Sequence, residues 1–213
     1  MEYRGSGNDR HPFDQATAGG SVVSSWPGAR SMARGKLVLT YQDYLQMPDD
    51  RNRREILGGD LYVTPAPSPL HQRVLANLAE VLNQWVRARA IGKVFPSPID
   101  VILSQVDVVQ PDLAYVSADR LQIVTGTGIQ GAPDLVIEVL SPSTARLDRG
   151  HKMETYARFG VQEYWLIDPD DRVAEQHVLE NQVFRLAARA TGNQSLTCAL
   201  LAGLIVDLST VWE

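Results

Sequence analysis

Residues 133–140 read Pro-Asp-Leu-Val-Ile-Glu-Val-Leu. The run is almost continuously aliphatic, which is typical of a strand buried on both faces of a sheet. It nevertheless carries two acids, Asp134 and Glu138, and a carboxylate in such surroundings is costly unless it is paired or binds a metal. Because side chains alternate along a strand, both acids lie on one face, roughly 13 Å apart. One metal ion therefore cannot bind both, since carboxylate oxygens lie about 2.1 Å from a bound magnesium.

A different acid is needed to hold an ion together with Glu138. Residues 108–116 read Val-Val-Gln-Pro-Asp-Leu-Ala-Tyr-Val and predict another strand. Asp112 in this run can lie opposite Glu138, whereas Asp134 is interpreted as a residue that opens its strand after Pro133. The alternatives are an edge or turn aspartate at Asp112, and an ion pair between Glu138 and an arginine of the core.

A lysine follows in a helix predicted over residues 148–159. The apolar side of this helix carries Met153, Tyr156 and Phe159, and Lys152 flanks it. Two carboxylates and a lysine at one edge of a sheet suit metal-assisted phosphodiester hydrolysis. The acids bind a hard cation, and the lysine orients the attacking water or offsets developing charge. The alternative is a surface lysine whose aliphatic stem covers apolar neighbours.

Two further side chains are candidates for the same site. Glu55 begins a predicted strand. Three roles are open for it: a metal ligand, an acid that supports the ligands, or a surface residue. His71 lies in the first turn of a predicted helix, where a backbone partner at the helix end is the alternative. If Lys152 has no part in the chemistry, Lys93 and Arg149 are the remaining cations for its role.

The remaining pattern predicts a mixed α/β domain. Along the chain, the predicted elements are a short helix from Thr40 to near Pro48, a hairpin over residues 55–63 with glycines in its turn, a long helix from Ser68-Pro69 that Gly92 ends, and strands at 99–103, 108–116, 134–140, 163–168, 173–179, 183–188 and 204–208. This order favours a mixed sheet with helices on both sides.

The composition indicates a globular domain with an N-terminal extension: 213 residues, 44% apolar and 21% charged. Residues 1–36 are rich in Gly, Ser, Ala and Arg, which predicts a disordered leader before a domain at 37–213. The single cysteine, Cys198, excludes an intrachain disulfide and favours the cytoplasm. No run approaches the roughly 18 apolar residues of a membrane span. The net charge of -5 argues against DNA binding by a uniformly positive surface.

Residues 126–131, Gly-Thr-Gly-Ile-Gln-Gly, have the spacing of a dinucleotide-binding fingerprint. That motif works only where a helix begins and offers its N-terminus to a pyrophosphate. Here Pro133 and a predicted strand follow instead. The stretch is therefore interpreted as a flexible loop, and a nucleotide-binding fold is rejected.

These segments resemble the Uma-type family of bacterial restriction endonucleases, within the PD-(D/E)XK nuclease superfamily. The resemblance runs from Thr40 to about Val178 and is carried by residues 55–61, 65–71, 110–113, 131–143, 148–156 and 160–165. It implies a restriction-endonuclease-like fold, a mixed β-sheet flanked by helices, and DNA cleavage that depends on magnesium or manganese. It further implies that Asp112, Glu138 and the backbone carbonyl of Val139 bind the ion.

One position departs from the wider superfamily pattern. The lysine expected two residues after Glu138 is replaced by Leu140, and Lys152 is the substitute that reaches the same space from the following helix. The predicted function is a metal-dependent endodeoxyribonuclease with Asp112, Glu138, Lys152 and Glu55 as catalytic residues.

The sequence leaves two alternative functions open and predicts one oligomeric state. The first alternative is a catalytically inactive module that keeps the fold and binds nucleic acid or protein. The second is a metal-dependent hydrolase of another phosphodiester. A twofold homodimer through residues 173–213 is expected, because cutting both strands of a duplex needs two sites.

Overall fold

The computed structural model describes residues 37–48 and 52–213, so the predicted leader lies outside the described residues. The helices are α1 Tyr41–Tyr44, α2 Pro69–Arg89, α3 Ala145–Leu147, α4 Met153–Phe159 and α5 Leu208–Val211, with a 3₁₀ helix at Ala118–Ile123 and a π-helical turn at Asp148–Lys152 that joins α3 to α4. The strands are β1 Arg53–Leu57, β2 Asp60–Thr64, β3 Gly92–Pro96, β4 Val101–Ser104, β5 Asp107–Val109, β6 Leu113–Ser117, β7 Val124–Thr125, β8 Gly128–Gln130, β9 Leu135–Val139, β10 Glu163–Asp168, β11 Val173–Glu180, β12 Val183–Thr191, β13 Ser195–Thr197 and β14 Ile205–Asp207.

The strands form a central sheet, a second sheet and a short two-stranded ribbon. The central sheet has the order β12-β11-β10-β9-β6-β3, in which β9 and β10 are parallel and the other neighbours antiparallel. The second sheet has the order β2-β1-β5-β4-β8-β7. The predicted class, mixed strands flanked by helices, is confirmed. The hairpin β1–β2 and strands β4 and β5, however, belong to a separate sheet.

β9 lies between two helical layers, as its aliphatic sequence predicts. Leu135, Ile137 and Val139 pack into the cluster that includes the apolar stripe of α2. Val136 packs on the opposite side, with residues of α4. Because side chains alternate along a strand, Glu138 lies on the α4 side.

Turn and capping residues determine where the elements around β9 begin and end. The β1–β2 turn consists of Gly58 and Gly59, both with positive φ (58° and 80°), as a two-residue hairpin turn requires. In α2, Ser68 Oγ accepts the N–H of His71 and caps the helix. The prediction that Gly92 ends this helix is wrong, because the helix ends at Arg89 and Gly92 begins β3.

The strand predicted over residues 108–116 is in fact two strands in different sheets. β5 joins the second sheet and β6 joins the central sheet. The break falls at Gln110–Asp112, because Pro111 has no N–H to donate to a sheet. Asp112 is therefore the residue immediately before β6, where its carboxylate lies at the end of the central sheet.

The glycine-rich stretch at 126–131 is also more ordered than predicted. Its residues form the turn and second strand of the β7–β8 hairpin, with β8 paired to β4. No helix begins there, which agrees with the rejection of a nucleotide-binding fold.

None of the helices in the described ranges combines the length and apolar character needed to cross a membrane. Cys198 is a buried free thiol. The cytoplasmic location predicted from this lone cysteine stays a prediction.

Candidate active site

A pocket of about 200 Å³ lies where the C-terminal end of β9 meets β1, β2, the start of α2 and the π-helical turn. Its walls carry the loops 64–68 and 141–144, which are rich in proline and hydroxyl side chains. Its charged lining consists of four acids and two basic residues, Glu55, Asp112, Glu138, Asp148, Arg53 and Lys152. The sequence predicted three of these acids and the lysine as site residues.

Asp112 and Glu138 lie side by side. The antiparallel register pairs Leu113 with Ile137, so the next residues, Asp112 and Glu138, face each other across β6 and β9. The N–H of Val139 donates to Oδ2 of Asp112 over 2.8 Å, and the N–H of Asp112 donates to Oε2 of Glu138 over 3.3 Å. Both carboxylates are buried. These cross-strand hydrogen bonds join the two acids into one unit.

Lys152 reaches this unit from the π-helical turn. Such turns inside α-helices are frequent at functional sites. Its Nζ lies 2.6 Å from Glu138 Oε1, 3.0 Å from Glu55 Oε1 and 3.4 Å from Asp148 Oδ1. The residue is only 1% exposed, so the alternative of a surface lysine is wrong. The helix predicted from 148 begins earlier, at Ala145.

Glu55 and His71 also belong to the cluster. Glu55 is buried, and its Oε1 accepts the N–H of Gln110 over 2.8 Å in addition to its ion pair with Lys152. A surface role for Glu55 is therefore wrong. Nε2 of His71 donates to Oδ2 of Asp112 over 3.1 Å, so the histidine is bound to the acid rather than to a backbone group at the helix end.

Sequence reasoning missed Arg53. Its Nη1 lies 2.7 Å from Asp112 Oδ1 and its Nη2 lies 3.6 Å from Glu138 Oε2, so one guanidinium bridges both acids. Nη2 also donates to the carbonyl of Gln110. The arginine partner that was the alternative explanation for Glu138 is therefore present, together with the lysine. The available signal was alternation, because Arg53 and Glu55 lie on one face of β1.

The two bridged acids have opposite pKa shifts. Burial raises the pKa of Glu138 to about 8; the ammonium of Lys152 opposes this rise and the charge of Asp112 adds to it. Burial also acts to raise the pKa of Asp112. The hydrogen bond from His71 and the charge of Arg53 outweigh it and hold the pKa of Asp112 well below its ordinary value.

Lys152 stays protonated. Burial by itself lowers the pKa of a lysine, but the carboxylates of Glu138, Glu55 and Asp148 outweigh it and raise the pKa above the ordinary value. A lysine in this state cannot accept a proton from water. It can hold a water molecule in place or offset negative charge.

The other candidates from the sequence lie outside the pocket. Asp134 is at the opposite end of β9, where Oδ2 accepts the N–H of Ser117 over 2.8 Å and Oδ1 accepts Nη1 of Arg120 over 2.5 Å. Its interpretation as a strand-opening residue is confirmed. Lys93, in β3, and Arg149 are exposed and do not line the pocket.

The acid pair fits a divalent cation. Asp112 and Glu138 already share one cation, the guanidinium of Arg53, so both carboxylates face a common position for positive charge. Val139 donates its N–H to Asp112, and the carbonyl of a strand residue points to the same side as its N–H. The described residues contain no cluster of three or more His, Cys, Asp or Glu with metal-binding geometry. Water would therefore complete the coordination, as is usual for magnesium.

The mixed central sheet and the acid–lysine cluster at its edge define a restriction-endonuclease-like α/β protein. The sequence profile of the Uma2 family, described as "Putative restriction endonuclease", matches residues 41–209, and the chain belongs to this family. No curated protein gives a significant match.

Solved structures share the fold. Five chains match with significance. One of them, from Anabaena variabilis ATCC 29413, is described as a putative nuclease belonging to DUF820. It is 19% identical to this protein, with a TM-score of 0.69 over 82% of this chain and 97% of that one. At this identity the likeness concerns the fold.

Proposed function

We propose that this protein is a divalent-metal-dependent endonuclease that hydrolyses phosphodiester bonds of DNA. The observation that carries the proposal is the convergence of Asp112, Glu138, Glu55 and Lys152 on the floor of one pocket. Buried carboxylates in surplus over their cations are costly. A site that binds a positive ion and then a phosphate accounts for this surplus of acids. Resemblance to the superfamily supports products with 5′-phosphates.

In this proposal Asp112, Glu138 and the carbonyl of Val139 hold Mg²⁺ or Mn²⁺. When bound, the ion would polarise the scissile phosphate and lower the pKa of a water molecule. His71 keeps Asp112 oriented through the hydrogen bond between Nε2 and Oδ2. Tyr156 orients Glu138 in the same way, by donating its hydroxyl to Oε1 over 3.0 Å.

Lys152 and Glu55 act together. The permanently charged ammonium of Lys152 offsets negative charge that develops on the phosphate, or orients the attacking water. Glu55 holds the ammonium 3.0 Å from its Oε1 and so fixes its direction. Its own role is that of a positioning residue or an additional ligand.

Plasmid cleavage tests the proposal. Wild-type protein is expected to nick or linearise a supercoiled plasmid with Mg²⁺ or Mn²⁺ and to leave it intact with EDTA. Asp112→Asn is expected to leave the plasmid intact under all conditions while retaining the circular dichroism spectrum of a folded protein. Cleavage by Asp112→Asn at the wild-type rate would exclude a metal site at this acid.

A catalytically inactive module is the second candidate, and one observation favours it. Each carboxylate oxygen of Asp112 and Glu138 already has a donor or cationic partner within the protein, from Arg53, His71, Lys152 and others. Such a network is satisfied without a metal. A folded protein that binds DNA in the plasmid experiment but never cuts it would support this candidate.

We also propose a homodimer. β12 is an edge strand of the central sheet, and its Val183 and Leu186 are 51% and 55% exposed. Open edges with apolar side chains favour strand pairing with another chain. Light scattering at micromolar concentration checks this assembly, and a purely monomeric mass would contradict it.

A further inference from the structure

The contacts of Arg53 suit a cationic side chain that a metal ion can displace. Its guanidinium lies between Asp112 and Glu138, which are the residues proposed to hold the metal ion. The side chain is 23% exposed, whereas the acids that it bridges are only 3% and 2% exposed. Arg53 also lines the pocket. The guanidinium therefore occupies the position proposed for the metal ion, and its side chain remains partly exposed at the pocket.

The wall beside Arg53 carries hydrogen-bonding groups without partners. Within residues 37–48 and 52–213, Nε of Arg53, Oγ1 of Thr64 and Nδ1 of His71 are buried polar atoms with no hydrogen-bond partner. All three residues line the pocket. Arg53 and Thr64 are direct cross-strand neighbours in the β1–β2 hairpin, so their side chains lie on the same face. Buried polar groups of native proteins are rarely left unpaired. The N–H at Nε of Arg53 and the hydroxyl of Thr64 are donors, so this wall lacks an acceptor that a ligand can supply.

We propose that Arg53 and Thr64 form a binding subsite for a nucleic-acid phosphodiester, and that a divalent cation opens this subsite by replacing Arg53 between Asp112 and Glu138. The inference rests on the proposed function, since it concerns the same pocket. The ligand chemistry follows from the donors. A guanidinium binds phosphate oxygens in a two-pronged manner, and the hydroxyl of Thr64 adds a further donor.

Charge gives the reason for the exchange. The pocket holds four acids and two permanent cations, so its formal charge with all four acids ionised is negative and unsuited to a phosphate. A divalent cation between Asp112 and Glu138 supplies the missing positive charge and repels the guanidinium at short range. Arg53 then gains more from a phosphate in the pocket than from acids that the metal has neutralised. Metal binding and phosphate binding are thereby coupled through one side chain.

Two binding measurements on Arg53→Gln test the proposal. The first is Mn²⁺ affinity without nucleic acid, by calorimetry, and Arg53→Gln is expected to bind Mn²⁺ more tightly than wild type because a competing cation is gone. The second is the affinity for a short fluorescent DNA oligonucleotide at saturating Ca²⁺, by anisotropy, with a gel to verify that the oligonucleotide stays intact. Here Arg53→Gln is expected to bind about tenfold more weakly or worse, because a charge-assisted contact is lost.

Two other variants test the subsite, and a third serves as a control. Thr64→Val removes only the hydroxyl and is expected to weaken oligonucleotide binding by a few-fold without changing Mn²⁺ affinity. Arg53→Lys keeps the charge but not the planar fork and is expected to recover part of the oligonucleotide affinity. Arg120→Gln is the matched control, because Arg120 pairs with Asp134 at the other end of β9. It is expected to leave both affinities at wild-type values.

Arg53→Gln leaves the acids without their bridging cation and is expected to melt at a lower temperature without metal. If it is unfolded without metal, thermal melting with Mn²⁺ is the readout, and Mn²⁺ is expected to raise its melting temperature more than that of wild type. Weaker Mn²⁺ binding, a smaller rise, or unchanged oligonucleotide affinity in Arg53→Gln would overturn the subsite. These results differ from a failure of the proposed function, in which wild type itself cuts no DNA with Mg²⁺. Inorganic phosphate that displaces the oligonucleotide only at millimolar concentration supports a nucleic-acid ligand, whereas equal affinities would point to free phosphate and overturn it.

Discussion

The two ends of β9 hold the same kinds of residue in different arrangements. Asp134 precedes the strand and Glu138 is near its end, and they are 2% and 1% exposed. Each carboxylate has an arginine partner, Arg120 for Asp134 and Arg53 for Glu138. The surroundings differ, because Asp134 is one acid with one guanidinium and several neutral donors. Glu138 belongs to a cluster of four acids around two cations, open to a pocket.

This comparison shows that burial of a carboxylate in an aliphatic strand does not by itself indicate function. At Asp134, Arg120 also donates to the carbonyl of Ala132 over 2.7 Å, so the pair fastens the loop before β9 to the helix that follows β6. The charges there are balanced. At Glu138 the acids exceed the cations, and the acids line a pocket. Unbalanced charge next to a pocket is therefore the feature that separates Glu138, the proposed site acid, from Asp134.

Removing one acid from each end gives the largest expected difference. Glu138→Gln is expected to abolish metal-dependent cleavage, because it removes a charged ligand of the proposed ion. Asp134→Asn is expected to lose about 1–3 kcal/mol of unfolding free energy, because Arg120 loses its charged partner, and to cleave within a few-fold of wild type. Plasmid cleavage and urea denaturation of both variants measure these effects. If Asp134→Asn lost as much Mn²⁺ affinity as Glu138→Gln, the separation of the two ends would be wrong.

Lys152 extends the comparison, because no lysine is among the partners of Asp134 in the described part of the chain. Lys152→Ala is expected to lower the cleavage rate by about 10²–10³-fold, as for other groups that stabilise transition-state charge. It is also expected to lower stability by about 3–5 kcal/mol, since three buried carboxylates lose a cation. Lys152→Arg is expected to be a poor rescue, because a planar fork does not fit the place of a compact ammonium that is 1% exposed.

Lys93→Ala is the matched control for Lys152, since Lys93 is an exposed lysine of β3. Cleavage is to be compared at a temperature and Mg²⁺ concentration at which all variants are folded. Rates of both Lys152 variants within a few-fold of wild type would remove the lysine from the chemistry and favour the inactive module.

The sequence was sufficient to predict the central strand and the pairing of Glu138 with Asp112. Alternation along residues 133–140 separated Asp134 from Glu138, and a second Pro-Asp run supplied Asp112. The break of that run at Pro111 could also have been predicted, because a proline cannot continue a central strand. These features depend on local rules that a single strand obeys by itself.

Alternation puts Arg53 on the same face of β1 as Glu55, but its contact with Asp112 could not be predicted from the sequence, because that contact depends on how the strands of the two sheets meet. β1 pairs with β5 at Ile56 and Val108, and this contact brings Arg53 to Asp112 across 59 residues of sequence. The π-helical turn that directs Lys152 inward was also unpredictable in its register. Gly150 within it is a visible weak point of the helix but does not specify where an extra residue is accommodated.

The pH dependence of stability tests the excess of acids directly. In the metal-free protein, burial raises the pKa of Glu138 to about 8, whereas its ordinary value is 4.5. Between these values the folded protein binds a proton that the unfolded chain releases. The stabilisation is therefore complete below the ordinary value and is lost as the pH rises through the folded value, with a slope of up to about 1.4 kcal/mol per pH unit.

Asp112 does not interfere with this slope, because its pKa is lowered and its stabilisation is lost only below its ordinary value of 3.8. Urea denaturation in EDTA from roughly pH 5 to pH 8 is therefore expected to show wild-type stability falling with pH, and a flatter profile for Glu138→Gln. All ionisable groups other than residue 138 are common to both proteins, including Asp148, whose pKa burial also raises, so the difference between the profiles isolates the glutamate. Parallel profiles for wild type and Glu138→Gln would mean that Glu138 binds no additional proton on folding, and the excess of acids at this end of β9 would lose its support.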